Sequence, residues 1–204
     1  MNWLSHIFIS KNSIEYQLGN LLADPLKGKH WNGASGLTQE GFKMHLKIDA
    51  YTDANENVLN SKSRLGKKGY LKGVIIDIAY DHLLLKNWNS YSNIDISSFI
   101  NEFYKNALDE IENYPNTPRE FVEKIIQSRR LTSYSTFEGL EAAFQRIDKR
   151  LSERLLLKEC ATEYLPVLER ELDAIEKDFD IFFPQLISHF KAQIDDNLGN
   201  HWLK

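Results

Sequence analysis

The sequence predicts an all-α bundle of seven to nine helices. Three observations predict it. Apolar residues recur three and four apart through most of the chain; no stretch alternates as a half-buried strand would; and proline and glycine, 5 and 10 of 204 residues, fall between the periodic segments.

The elements follow in order. The stretch SIEYQLGNLLAD places Ile14, Leu18, Leu21 and Leu22 on one helical face. Residues 27–36 (KGKHWNGASG) read as the clearest loop, joining the second and third helices. A helix over 38–54 brings Phe42, His45, Leu46, Asp49 and Asp53 close in angle, and a short helix around residues 56–63 is expected after it. Residues 70–88 form another, with Leu71, Val74, Ile75, Ile78, His82 and Leu85. A polar loop over 87–95 leads to helices over 97–113 and 118–129. The second of these is expected to open with Thr117 as N-cap, Pro118 at its first position and Glu120 completing a capping box. After a helix over 137–151, the most regular seam runs Leu165, Leu168, Leu172, Ile175, Phe179, Phe182, Leu186, and Pro184 is expected to kink or divide it. The whole is expected to be one domain over 1–204, with a site-bearing half at about 1–90 and a helical packing half at about 91–204.

Composition excludes several classes. Net charge is −4, so no global basic field invites nucleic acid. One cysteine, Cys160, rules out a disulfide framework or a cysteine metal cluster, and a reducing cytoplasm is the expected setting. MNWLSHIFISKNS lacks a basic n-region, so no signal peptide is expected, and no apolar run approaches the roughly 20 residues that span a bilayer. Oligomeric state stays open, as does the order of the C-terminal DDNLGNHWLK.

The chemistry concentrates in MHLKIDAYTD. Residues four apart on a helix differ by about 40°, so His45, Asp49 and Asp53 share a stripe. Asp77 and Asp81 repeat the spacing in DIAYDH, with His82 beside them, and Asp24 ends GNLLAD before Pro25. Unpaired carboxylates among apolar neighbours are costly, and few Lys or Arg share these stripes. A divalent metal would balance them; mixed Asp and His ligands suit Mn²⁺, Fe²⁺, Mg²⁺ or Zn²⁺. Plainer readings stand beside this one. His45–Asp49 also reads as a surface pair, Asp53 as the cap of the next helix, Asp77 as a helix N-terminal acid, and His82 as a satisfied core histidine.

The order MNWLSH … GNLLAD … MHLKIDAYTD … DIAYDHLLLKNW, four blocks in register over about residues 1–90, resembles the acyl carrier protein phosphodiesterase (acyl carrier protein hydrolase) family. The C-terminal half matches only loosely, as helix with a late Phe183-Pro184. The resemblance implies a variant of the HD-domain phosphohydrolase fold. It also implies a divalent metal, Mn²⁺ first with Mg²⁺ or Fe²⁺ as alternatives, and removal of 4′-phosphopantetheine from holo-acyl carrier protein, a step of lipid metabolism. This chain has no His-Asp dipeptide, so ligands do not transfer from ordinary HD enzymes.

On the family's own blocks, Asp24, His45, Asp49, Asp53 and Asp77 are the expected metal set. His6, Asp81 and His82 are the expected catalytic set, with His6 or His82 protonating the leaving serine oxygen. Acyl carrier proteins are strongly acidic, so Lys27, Lys29, Lys43 and Lys47 are expected to dock the substrate; Arg64 with Lys67 and Lys68, and Arg129 with Arg130, form further basic clusters. Trp31 either covers the pantetheine arm or anchors its loop. Two other readings remain: an HD-like hydrolase of a nucleotide or other small phosphoester, and a non-catalytic helical protein that binds acyl carrier protein.

Overall fold

The computed structural model describes residues 1–67, 69–194 and 199–202. Lys68, assigned above to a basic cluster, lies outside the described residues. The described chain is all α: α1 Trp3–Ile9, α2 Ile14–Leu22, α3 Gly36–Ala54, α4 Glu56–Arg64, α5 Lys72–Lys86, α6 Ile96–Glu110, α7 Asn116–Gln127, α8 Phe137–Asp148, α9 Glu153–Leu156 and α10 Leu165–Lys191. Among the described residues the one β contact is an isolated bridge between Ser92 and Trp202. Ten α-helices exceed the seven to nine expected because α1 and α9, at 7 and 4 residues, are too short to display a helical period.

Helix α7 corrects the expected start. It begins at Asn116 with Pro115 as its N-cap residue, so Thr117 and Pro118 lie inside the first turn and Thr117 caps nothing. Pro184 does not divide α10, which runs 27 residues through it. Packing on both sides of the proline sustains the helix: Phe179, Phe182, Phe183, Leu186 and Ile187 are all buried. Leu165 and Leu172 of the expected seam are only partly buried. At the C-terminus His201 and Trp202 are buried, and the His201 Nε2 and Trp202 Nε1 atoms each lie 2.7 Å from the Phe8 carbonyl oxygen. That oxygen is one of the last carbonyls of α1, which have no partner within their own helix.

Two contacts position the site. Helices α2 and α3 cross at glycines: a Cβ on Gly19 would stand 2.1 Å from the Thr38 carbonyl oxygen, and one on Gly41 would stand 2.2 Å from that of Tyr16. Only glycine permits such an approach, and it draws the C-terminal end of α2 alongside α3. Helix α1 is held from below by Asp81 of α5. Its carboxylate accepts from Leu4 N and Ser5 N, both at 3.0 Å, and from Ser5 Oγ at 2.6 Å. A fully buried carboxylate thus caps the start of α1, where unpaired N–H groups favour an anion.

Candidate metal centre

His6 on α1 and His45 on α3 stack with ring centroids 4.0 Å apart. Asn20 on α2 fixes both rings. Its Nδ2 donates to the His6 carbonyl at 2.9 Å and to Ser10 Oγ at 2.8 Å, which sets the amide's orientation. Its Oδ1 therefore accepts from His6 Nδ1 at 2.8 Å, while its main-chain oxygen accepts from His45 Nδ1 at 2.9 Å. With both Nδ1 atoms spent as donors, both Nε2 atoms turn to one point. This is the arrangement by which a neighbouring oxygen sets a metal-binding imidazole's tautomer.

Asp49 completes the point, with Oδ1 3.2 Å from His6 Nε2 and Oδ2 3.1 Å from His45 Nε2. One atom from each of His6, His45 and Asp49 lies within 4.8 Å of the others. Asp24 Oδ1 also reaches His45 Nε2 at 3.1 Å, from a position 68% exposed that marks the mouth. Asp77 stands one step away. The Met1 amino nitrogen lies 3.1 Å from Asp77 and 3.6 Å from Asp49.

Electrostatics sort the two imidazoles. Burial pushes His6 below the ordinary imidazole value, against the pull of Asp49, whose Oδ1 lies 3.2 Å from its buried Nε2. Burial also lowers His45, but the hydrogen bonds to Asp24 and Asp49 outweigh it and raise the group to about 9. Asp49 is opposed by its own burial yet held far below the carboxylate range by His45 and His6. The hydrogen bond from His45 also lowers Asp24. Two imidazole nitrogens and one carboxylate around an open position is a donor set that catalytic metals use. The buried His6 Nε2, which faces Asp49 Oδ1 at 3.2 Å, fits a cation held between them.

Four expected site residues do not join this point, Asp77 being turned to the Met1 amino group as described. Asp53 is two steps of about 40° round α3 from His45. It is exposed and pairs with Lys62 Nζ at 2.7 Å; nor does it cap α4, since Asn55 does. Asp81 is spent on the start of α1, as described, with its carboxyl raised to about 6 by burial. His82 is buried elsewhere, with Nδ1 donating to the Tyr134 carbonyl at 2.7 Å and its ring edge-on to Phe137. It is the satisfied core histidine.

Lys27, Lys29, Lys43 and Lys47 are all exposed. Trp31 rests on Tyr114, centroids 4.5 Å apart, and so anchors its loop. Asn20 is the residue that sequence reading passed over. It precedes Asp24 by four, the same interval that drew attention to His45 and Asp49.

Fold and site together define an all-α protein with a buried, two-histidine, one-carboxylate candidate metal centre. A model of the acyl carrier protein phosphodiesterase family matches residues 1–186, and the chain belongs to that family. It is similar to the acyl carrier protein phosphodiesterases of Enterobacter sp. (strain 638) and Serratia proteamaculans (strain 568). Each is 24% identical over 196 residues, 94% of this chain and 98% of the relative. That of Photorhabdus laumondii subsp. laumondii is 29% identical over 127 residues, 60% of this chain and 62% of the relative. No solved structure matches.

Proposed function

We propose that the chain hydrolyses the phosphodiester of holo-acyl carrier protein, releasing 4′-phosphopantetheine and the apo-protein with its serine hydroxyl free. Family membership supports the substrate. The observation that carries the chemistry is the convergence of the buried His6 Nε2, the His45 Nε2 and the Asp49 carboxylate on one point.

His6, His45 and Asp49 are the residues that would hold a divalent ion, with Asp24 and Asp77 flanking. A divalent ion there would neutralise phosphodiester charge and lower the pKa of water. Mn²⁺ leads; the two imidazoles favour Fe²⁺ or Zn²⁺ over Mg²⁺ as alternatives.

The chain's own groups do the rest. Asn20 keeps both imidazoles turned inward, so no reorientation is needed when substrate arrives. His45 gives up its extra proton to take up a cation. Asp24, exposed at the mouth and in contact with His45, is the carboxylate placed to orient a water and accept its proton. Lys27, Lys29, Lys43 and Lys47 would meet the acidic carrier protein. An all-α bundle with His and Asp converging from separate helices is in keeping with an HD-like phosphohydrolase. A single cysteine and the finding that no described helix is long and apolar enough to cross a membrane are in keeping with a cytoplasmic setting.

The test is incubation with holo-acyl carrier protein and Mn²⁺ followed by intact mass. Loss of one phosphopantetheine is expected, abolished by chelator and by Asp49→Asn. Unchanged mass alongside hydrolysis of small phosphodiesters would overturn the proposal in favour of a small-phosphoester hydrolase.

A further inference from the structure

A second site emerges where the start of α1, helices α5 and α8 and the loop after α7 meet. Arg130, Arg146 and Arg150 line one cavity of about 110 Å³ with Asn2. None of the three guanidiniums has an ion-pair partner among the described residues, whereas Lys62, Arg64 and Lys86 elsewhere on the surface each pair with a carboxylate. Arg146 Nη2 is buried without a hydrogen bond, and so is Asn2 Nδ2. Both are donors. The remaining wall is apolar, from Val74, Ile78, Ala143 and Ile147, apart from the Tyr134 phenol, which neighbours both Asn2 and Arg146. Arg130 also stacks on Trp3, 6.0 Å from the ring centroid. Burial, and then the like charges of Arg130 and Arg150, push Arg146 below the ordinary guanidinium value.

Three guanidiniums and the Asn2 amide, with only the Tyr134 phenol oxygen among them and no carboxylate in the lining, form a site in want of an anion. Its size limits the anion. The cavity is well under the roughly 300–1,000 Å³ of sites that enclose a drug-sized ligand, yet it exceeds the roughly 30 Å³ share of one water several-fold. A compact oxyanion fits, alone or as the end of a longer molecule whose body stays outside. A groove of about 440 Å³ shares Trp3, Arg130 and Arg150 with the cavity and has room for such a body. Three positive charges favour a dianion over a monoanionic carboxylate, and the planar forks of arginine match phosphate oxygens.

We propose that Arg130, Arg146 and Arg150, with Asn2, form a binding site for a dianionic phosphate group, separate from the His6–His45–Asp49 centre. The site adjoins that centre in the chain: Asn2 follows Met1, which touches Asp49 and Asp77, and Val74 and Ile78 flank Asp77 on α5. Its ligand is either free inorganic phosphate or the phosphomonoester end of 4′-phosphopantetheine. The second source rests on the phosphodiesterase reading; the first does not.

The experiment is calorimetric titration of inorganic phosphate into the full chain, stripped of metal on a chelating resin. It is run in low salt at pH 8, where a phosphate monoester, with its second pKa of about 6, is a dianion. One phosphate per chain is expected. Arg150→Gln and Arg130→Gln should each weaken binding at least tenfold, Arg150→Lys should recover part of the loss, and Lys177→Gln, at an exposed position of α10, should leave binding unchanged. Arg150 is exposed, so its variants keep the test valid even where Arg146→Gln fails to fold.

Absence of saturable phosphate binding, or equal binding by the arginine variants, would overturn the proposal. So would displacement by acetate at equal concentration, which would assign the pocket to carboxylates. The same titration with 4′-phosphopantetheine separates the sources. Tighter binding than phosphate, lost in the same variants, assigns the site to that product; binding no tighter than phosphate assigns it to the free ion. No substrate turnover or metal enters, so failure here is distinct from failure of the phosphodiesterase reading.

Discussion

Asn20 holds two histidines with one residue, through its side-chain oxygen for His6 and its main-chain oxygen for His45. Removing the side chain frees one ring and leaves the other. Loss of such an orienting partner weakens metal binding about 10–100-fold, so Asn20→Ala should do so in a Mn²⁺ competition titration; unchanged affinity would show that Asn20 does not set the centre. His45 fixes a pH dependence. Its folded value of about 9 lies above the ordinary 6.5. In the metal-free protein its contribution to stability is therefore fully present below pH 6.5 and lost as pH rises through 9. Asp49 is lowered instead, so its contribution is present above the ordinary carboxylate range and lost on acidification. A bound cation requires neutral His45. Metal affinity should therefore rise about tenfold per pH unit as pH approaches 9 and then level, with one proton released per ion. Calorimetry in buffers of different ionisation enthalpy reads this directly, and pH-independent affinity would contradict it.

The elements matter through two contacts that leave no room for alternatives. A methyl group on Gly41 meets the Tyr16 carbonyl oxygen at 2.2 Å, and backbone cannot swing aside as a flexible side chain would. Overpacking of this kind costs about 1–3 kcal/mol or more. Gly41→Ala should therefore lower the thermal midpoint and, by parting α2 from α3, weaken metal binding; Gly36→Ala, which opens onto free space, should do neither. Asp81→Ala strands the buried Leu4 and Ser5 amides, at a cost of about 1–3 kcal/mol for each group left unpaired. It should destabilise the chain even in metal-free buffer, whereas a purely catalytic Asp81 would leave the midpoint unchanged. Much of this scale could be read from sequence. The long periodic helices were visible because burial imposes the 3.6-residue period on their apolar residues. Short α1 was not, although it carries His6. The four-residue intervals exposed the stripe of His45 and Asp49, because those residues share one helix. They could not separate Asp77 from Asp81, which differ only in the neighbour α5 presents them to: Met1 for one, the α1 amides for the other. Nor could they reveal the Arg130–Arg146–Arg150 pocket, whose members come from the segment after α7, from α8 and from the turn that follows α8.

At the scale of the whole molecule, net charge of −4 sets a problem for an acidic partner. The answer has to be local, and Lys27, Lys29, Lys43 and Lys47 are exposed on the same two elements that bear Asp24, His45 and Asp49. Exposed charges at a rim act on encounter more than on chemistry. Reversing Lys27, Lys29 and Lys47 to Glu should therefore raise KM for the carrier protein about tenfold and flatten its salt dependence, with kcat little changed. Steady-state kinetics at several ionic strengths check this; an unaltered KM would place docking elsewhere.

The central claim is that His6, His45 and Asp49, and not the rest of the acidic stripe, form the metal centre. The most direct measurement is Mn²⁺ titration followed by electron paramagnetic resonance on the wild-type chain, Asp49→Asn and Asp53→Asn. One tight site is predicted in the wild type, retained in Asp53→Asn and lost in Asp49→Asn. Identical titrations for all three, or loss in Asp53→Asn alone, would contradict it.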